Sequence, residues 1–371
     1  MSVGKPRVSK ERSAFAGIKN VCVGKVIYSC ICGYSYAIRH TKYGILLPMA
    51  RTVVGILRGG TSSEYNLSLK TGAVMLSALP EERYETKDIL IDKAGMWHMR
   101  GIPADPVRAL SHVDVVLNAL HGGVGEDGTV QRLLERAGVP YAGSRPLPAA
   151  LSLNKIRARE LFRKAGIPTP RGAAFSLENP MGTDEMSRAV FSQFGPPYIV
   201  KPPMEGAGSG ILFAPTILEL PEAIGDLLDK YGAVLIEEYL LGDETTVGVI
   251  EDFRGEQLYA LPPAHIELPD GHKHLAFHHH DEGLINHLVP SHFSHALKEA
   301  VADVARAAHR ILSLGHFSRA DIIITRQGPR LLEVNANPGL YSGAAFPPML
   351  ESVGSSTREF LEHAINLAKR A

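Results

Sequence analysis

The chain is poor in cysteine and carries no net charge. Of 371 residues only three are cysteine, Cys22, Cys30 and Cys32, and all lie near the start, so the rest has no disulfide framework and suits a reducing compartment such as the cytoplasm. Thirty-nine basic residues balance 39 acidic ones, which leaves no broad electrostatic footprint for nucleic acid or anionic lipid. Long apolar runs are missing too. The mildly apolar "VIYSCICGYSYAI" is too short to span a bilayer, is interrupted by Gly33 and hydroxyl residues, and has no small-residue cleavage site after it. Residues 1–48 are therefore expected to be an extension or a misassigned start, with the folded part opening at Met49 before "RTVVGIL". Cys30 and Cys32, with no second thiol pair nearby, are weak evidence for a metal. Neither nucleic acid nor membrane is expected as a partner, and small molecules remain.

What is present is ample apolar content, 45% of residues, enough for two or three packed units. From Arg51 short apolar runs ("TVVGIL", "KDILID", "DVVLNAL") alternate with helical stretches ("NLSLKTGAVMLSAL", "TVQRLLERAG"), which predicts a doubly wound α/β unit with a parallel sheet. Ligands of such sheets bind beyond the carboxyl ends of strands, where "RGGTSSE" and "HGGVGEDG" sit. Neither loop has the spacing of a Walker or dinucleotide motif, so a purely structural role is as open as binding. Glu64 and His121 are the groups in them suited to a small polar substrate.

Further on, "SLNKIRARELFRKAG" reads as one helix stopped by Gly166, and "IPTP" as an extended link. "YIVKPPMEGAGSGIL" reads as a strand ending in Lys201, a proline pair, and a loop whose Gly206, Gly208 and Gly210 let backbone amides approach phosphate; a plain hairpin turn is the alternative. In "AVLIEEYLLGDETTVGVI" two strands flank a turn, with Glu237 and Glu244 placed either to hold an amine and ribose hydroxyls or as exposed turn charges. "HALKEAVADVARAAHRILSL" has the spacing of a packing helix.

The most informative segment is "HFSRADIIITRQGPRLLEVNANPG". A hairpin centred near Gln327 sets Asp321 opposite Glu333 and Arg319 opposite Asn335, and residues two apart share a face. That face carries two carboxylates, an amide and a guanidinium: hard-oxygen ligands suited to Mg²⁺, and a cation for phosphate or an oxyanion. Ala320, Ile322, Ile324, Leu332 and Val334 are expected on the other face. An amphipathic ribbon with a solvated polar side has the same pattern, but Pro338 and Gly339 end the strand at once and leave backbone amides free for a ligand.

Taken in order, "LRGGTSSEYNLSLKTG", "ALHGGVGEDGTVQ", "SLNKIRAR", "IVKPPMEGAGSG", "VLIEEYLLGDETTV" and "SRADIIIT…LLEVNANPG" resemble the D-alanine–D-alanine ligases of the ATP-grasp superfamily, from about Met49 to the end. The resemblance implies a three-domain architecture, with a substrate-binding domain at 49–148, a central domain at 149–232 and a metal-binding C-terminal domain at 233–371, the last two clamping ATP. It implies that Lys155 and Lys201 contact phosphates, and that Glu237, Glu238, Leu240 and Glu244 hold adenine and ribose. Asp321, Glu333 and Asn335 would bind two Mg²⁺ or Mn²⁺ ions. Arg319 and the Gly339 amide would stabilise the acyl phosphate and the tetrahedral oxyanion. Glu64 would anchor the first D-alanine's ammonium beside His121. A cytoplasmic homodimer serving peptidoglycan synthesis is the corresponding expectation.

Three positions depart from the family pattern. Its usual serine partner for the glutamate is Ala207 here, and Ser209, two residues on, is expected to compensate from a shifted loop. Its lid lysine–tyrosine pair is replaced by "HKHLAFHHHDEGLINHLVPSHF", in which His279 is expected to serve as the phosphate-facing donor. Its serine for the second substrate's carboxylate aligns at about Ala344, and nearby Ser342 is expected to bind substrate instead. Nine of the 16 histidines fall between His265 and His295, but the consecutive His278, His279 and His280 cannot all face one ion from regular structure. A ligase for other amino acids or a D-hydroxy acid, and a non-catalytic nucleotide-binding regulator, stay open as alternatives.

Overall fold

The computed structural model describes residues 51–267 and 285–370. Two compact units divide the chain, Met1–Thr52 with Pro80–Glu85, and Val53–Leu79 with Thr86–Ala371. In the described part of the first, Thr52 N–H donates to the Arg83 carbonyl at 3.0 Å. Everything that follows about the site concerns the second.

One sheet comprises β1 (Thr52–Gly59), β2 (Tyr84–Ile91), β3 (Trp97–Met99), β4 (Ile102–Pro103), β5 (Val115–Asn118) and β6 (Tyr141–Ala142), in the order β4-β3-β2-β1-β5-β6. β1 and β6 both run parallel to β5, whose four residues are all buried, as a strand covered on both faces should be. The sheet is not parallel throughout, however. β3 is antiparallel to both β2 and β4, because Gly95 (φ +85°) and Gly101 (φ +77°) turn the chain back tightly on either side of a strand too short to show as an apolar run. Its helices are α1 (Tyr65–Ala78), α2 (Pro106–Leu110) and α3 (Thr129–Ala137).

The single helix expected around residue 155 is two, α4 (Pro146–Leu153) and α5 (Lys155–Lys164). Asn154 breaks the run by leaving helical geometry (ψ 94°), and its side chain caps α5 by accepting the Arg157 N–H at 3.1 Å. Lys155 thereby sits at the first position of α5. A second sheet follows, from β7 (Gly172–Ser176), β8 (Tyr198–Lys201), β9 (Leu212–Ala214) and β10 (Ala233–Glu238), antiparallel throughout in the order β7-β10-β8-β9. Its helices α6 (Thr183–Phe191) and α7 (Leu220–Tyr231) bury Met186, Val190, Ile224 and Leu227 against Tyr198 and Val234.

The third sheet holds β11 (Asp243–Phe253), β12 (Glu256–Ala260), β13 (Ala264–Glu267), β14 (Asn286–Leu288), β15 (Phe317–Thr325) and β16 (Gly328–Asn335), ordered β14-β13-β11-β15-β16 with β12 paired to β11. Helix α8 (His295–Ile311) buries Val301, Ala305 and Ala308 against Ala320, Ile322, Leu331 and Val334. Helices α9 (Phe346–Ser352) and α10 (Thr357–Ala368) end the chain. In the β15–β16 hairpin Arg319 pairs with Asn335 and Asp321 with Glu333, as the spacing predicts. The register then slips, so that Ile322 faces Leu331 and Thr325 faces Gly328. This bulge corrects the expected core face: Leu331 is wholly buried, while Leu332 turns to the cleft.

Candidate active site

The polar face of the β15–β16 hairpin is the floor of the site. Arg319 grips Asp321 two residues on, Nε to Oδ1 at 3.0 Å and Nη2 to Oδ2 at 2.7 Å, and Thr246 on the adjacent strand donates to Asp321 Oδ1 at 2.7 Å. Glu333 Oε2 lies 2.8 Å from Lys155 Nζ. Asn335 Oδ1 accepts the Asn337 N–H at 2.8 Å.

Two lysines enter from other elements. Lys155, at the start of α5, also donates to the Glu205 carbonyl at 2.7 Å, which ties it to the glycine-rich loop after β8. Lys201 ends β8 and is held by Glu237 of the neighbouring strand at 2.7 Å. Both lysines, with Glu244, His287, Arg319, Asp321 and Glu333, line a cleft of about 100 Å³. Charge sorting there is strong. Burial works to raise Glu333, but Lys155, Lys201 and Arg319 outweigh it and hold its carboxyl at about 2. Half-buried Glu244 goes the other way: burial, then Asp321 and Glu333, push it up to about 8. Burial and the Arg319 charge lower His287 to about 4, so this ring is neutral at pH 7.

A second, smaller cavity of about 20 Å³ adjoins it, lined by Glu64, His121, Asn335, Gly339 and Tyr341; Arg319 and Ala207 line both. Glu64 is caged by glycine backbone. A Cβ on Gly206 would stand 2.5 Å from Glu64 Oε1, and one on Gly122 2.7 Å, so neither position accepts a side chain without displacing the carboxylate. Burial, then the neighbouring Glu126, raises the Glu64 pKa to about 8 against the pull of Lys155. His121 is buried, with Nε2 2.7 Å from Thr71 Oγ1 and Nδ1 3.8 Å from Glu126 Oε1. The "NANPG" loop is fastened beside it: Asn337 Nδ2 donates to the Leu120 carbonyl at 2.8 Å and Leu340 N–H to Thr71 Oγ1 at 3.4 Å.

The structure thus gathers Glu64, His121, Lys155, Lys201, Glu244, Arg319, Asp321, Glu333, Asn335 and Gly339 around two adjoining cavities. Ser209 lines the larger cavity and Glu64 the smaller. Ser342 is exposed and lines neither. The buried Glu237 faces Lys201, and Glu238 pairs with Arg171 at 2.6 Å; their side chains and that of Leu240 lie outside the lining of the cleft. His279 and the rest of the lid segment to residue 284 fall outside the described residues, as do the three cysteines. Sequence reasoning missed Asn337, His287 and Glu205. Asn337 sat unremarked within "NANPG", and His287 was one histidine among many. Glu205 joins the two loops by accepting from Ser63 Oγ at 2.8 Å, a contact that no spacing reveals.

The donor set Asp321, Glu333 and Asn335 is all oxygen and suits a hard divalent ion once phosphate oxygens complete the shell; the protein's own Arg319 and Lys155 cations neutralise the two carboxylates. Among the described residues no three or more His, Cys, Asp or Glu gather to hold a metal without such help. No helix among them is long and apolar enough to cross a membrane.

Fixed lysines, an arginine and oxygen donors aimed into one cleft, beside a caged carboxylate, fit the class of ATP-dependent ligases, and the family match puts the chain in that class. It belongs to the D-alanine–D-alanine ligase family: residues 98–144 match the model described as "D-ala D-ala ligase N-terminus" and residues 161–366 the one described as "D-ala D-ala ligase C-terminus". It is 32% identical to the D-alanine–D-alanine ligase of Desulforudis audaxviator over 85% of this chain and 98% of that one. Among solved structures it is similar to the D-alanine–D-alanine ligase of Bacillus anthracis complexed with ATP, at 26% identity and a TM-score of 0.71, covering 86% of this chain and 98% of that one. It is also similar to D-alanyl-alanine synthetase A of Vibrio cholerae, at 25% identity and a TM-score of 0.77, covering 87% and 100%.

Proposed function

We propose that this chain joins two D-alanine molecules with ATP to make D-alanyl-D-alanine for peptidoglycan, in the cytoplasm and as a homodimer, on a three-domain ATP-grasp architecture divided near residues 148 and 232. The observation that carries this reading is the position of Arg319. It lines both cavities, and so stands between a cleft built for phosphates and a pocket built around a carboxylate.

In this reading Lys155 and Lys201 hold the nucleotide's phosphates, and Glu244 faces its ribose. Glu64 takes the ammonium of the first D-alanine, which turns that substrate's carboxylate toward the phosphates. A carboxylate oxygen attacks the γ-phosphorus, the bond to the bridging oxygen breaks, and ADP leaves with that electron pair. The neutral amine of the second D-alanine then attacks the acyl carbon, phosphate departs, and the nitrogen sheds its proton. Arg319 and the Gly339 amide are positioned for the charge that builds on oxygen in both steps. Asp321, Glu333 and Asn335 would hold Mg²⁺, which when bound neutralises phosphate charge. No side-chain nucleophile is needed, in keeping with a site made of cations, oxygen donors and backbone amides.

A second reading keeps this chemistry with a different second substrate. It is favoured by one observation: Ala344 is buried and Ser342 exposed, so no hydroxyl from either faces the smaller cavity. The test for both is ADP release by the full chain with MgATP and D-alanine, L-alanine, or D-alanine with D-lactate, with products identified by mass. D-alanine-dependent release with the dipeptide as product is expected. Turnover only with another acceptor selects the second reading. MgATP binding without ADP release under any condition makes the chain a regulator.

A further inference from the structure

Between α5, the segment leading into β7 and the end of α6 lies a cavity of about 450 Å³ that shares no lining residue with the nucleotide cleft. Its charged lining is entirely cationic: Arg159 and Arg163 from α5, and Arg171 just before β7. The carboxylates nearest to these arginines are already engaged. Glu237 gives Oε2 to Lys201 at 2.7 Å, so Arg159 Nε reaches its other oxygen only at 3.6 Å, beyond hydrogen-bond range. Glu238 is taken by Arg171, through Nη2 at 2.6 Å and Nε at 2.7 Å. Around these strands four cations, Arg159, Arg163, Arg171 and Lys201, thus face two carboxylates.

Two features separate this from a patch of solvated arginines. The Arg159 side chain is only 12% exposed, its Nη2 is fixed on the Pro170 carbonyl at 2.8 Å, and its Nε is buried without a hydrogen-bond partner. A buried guanidinium short of acceptors is costly, so Arg159 keeps uncompensated positive charge beside the cavity. Burial, opposed by Glu237 and reinforced by the close Arg163 charge, lowers the Arg159 pKa. Arg171 is preorganised as well, lying 5.8 Å over the Phe194 ring while Glu238 holds it. Arg163, on the helix, and Arg171 are both exposed and line the same cavity.

We propose that the Arg159–Arg163–Arg171 cavity is an anion site, separate from the nucleotide cleft, for a phosphate-class oxyanion. Guanidinium groups converging from a helix and a strand entry match the several acceptor oxygens of a phosphate better than they match a single carboxylate.

The test is calorimetric titration of inorganic phosphate, and separately of glycerol phosphate, into the full chain saturated with Mg²⁺ and a non-hydrolysable ATP analogue. Arg163→Ala and Arg163→Glu are run beside the wild type. Arg163 touches neither cavity of the active site, so both variants should fold and turn over normally. One saturable site is expected, weakened roughly tenfold by Arg163→Ala and abolished by Arg163→Glu. Tighter binding of glycerol phosphate identifies a phosphorylated metabolite as the ligand, and tighter binding of phosphate the free ion; both support the site. Absence of saturable binding to the wild type, or affinity untouched by either substitution, overturns it.

Discussion

Lys155 Nζ stands 2.8 Å from Glu333 Oε2, an ion pair that joins the first residue of α5 to strand β16. With side chains 10% and 27% exposed, the pair is shielded enough to matter for stability. Removing one partner should cost more than removing both, because a lone buried charge is the expensive state. Lys155→Ala is expected to destabilise the chain by about 2 kcal/mol, and Lys155→Ala/Glu333→Ala by less. Urea denaturation of the two singles and the double closes the cycle, and additive losses would show that the pair is not coupled.

Glu64 should make both stability and substrate binding depend on pH. Its folded pKa, about 8, lies above the ordinary 4.5, so the folded state holds a proton that the unfolded state releases. The sign follows: this contribution to stability is fully present below about 4.5 and is lost as the pH rises through about 8. Glu64→Gln keeps a neutral group and should lack that slope, melting about 5 °C above wild type at pH 8.5 and close to it at pH 5. Under the proposed role of Glu64 binding runs the other way, since the substrate ammonium would need the carboxylate. The wild-type KM for D-alanine should fall roughly tenfold per unit between pH 6 and 8. A flat KM over that range would remove Glu64 as the ammonium anchor.

Arg319 gives a sharper test of the chemistry. Its two-pronged grip on Asp321 fixes the guanidinium plane, which a lysine cannot reproduce. Arg319→Lys should lower kcat by roughly 100- to 1000-fold while changing the KM for ATP much less. Equal losses in both would mean that Arg319 binds nucleotide and does no more.

The pairing that built this face was legible in the sequence because symmetry about the turn fixes which residues face each other. Arg319 opposite Asn335 and Asp321 opposite Glu333 needed only spacing. The bulge at Leu332 was not legible, since a single-residue slip leaves the apolar pattern "RLLEV" equally well satisfied by Leu331 or Leu332. The split of α4 from α5 at Asn154 was missed because the apolar period runs on through it, though asparagine before a helix is a capping signal. The links between distant loops, Asn337 to Leu120 and Ser63 to Glu205, are set by tertiary approach and leave no local trace.

Gly206 is the position where the backbone comes closest to the Glu64 carboxylate. Its missing Cβ is what allows the loop to press against Glu64: a methyl group there would sit 2.5 Å from Oε1 and 3.2 Å from the carboxyl carbon. Gly122 faces the same oxygen, and a Cβ there would stand 2.7 Å from Oε1. Gly206→Ala must therefore shift either Glu64 or the loop that carries Glu205 and contacts Lys155. A displacement of about 1 Å at a positioning group costs on the order of 100-fold in rate, and kcat/KM for D-alanine should fall by that much. Shortening the displaced side chain separates the two causes. In Gly206→Ala/Glu64→Asp the contact is relieved, so activity should exceed that of Gly206→Ala if the clash with Glu64 is the damage. If the double variant is no better and MgATP binding is weakened in both, the loop has moved instead, and the glycine serves Lys155 more than Glu64.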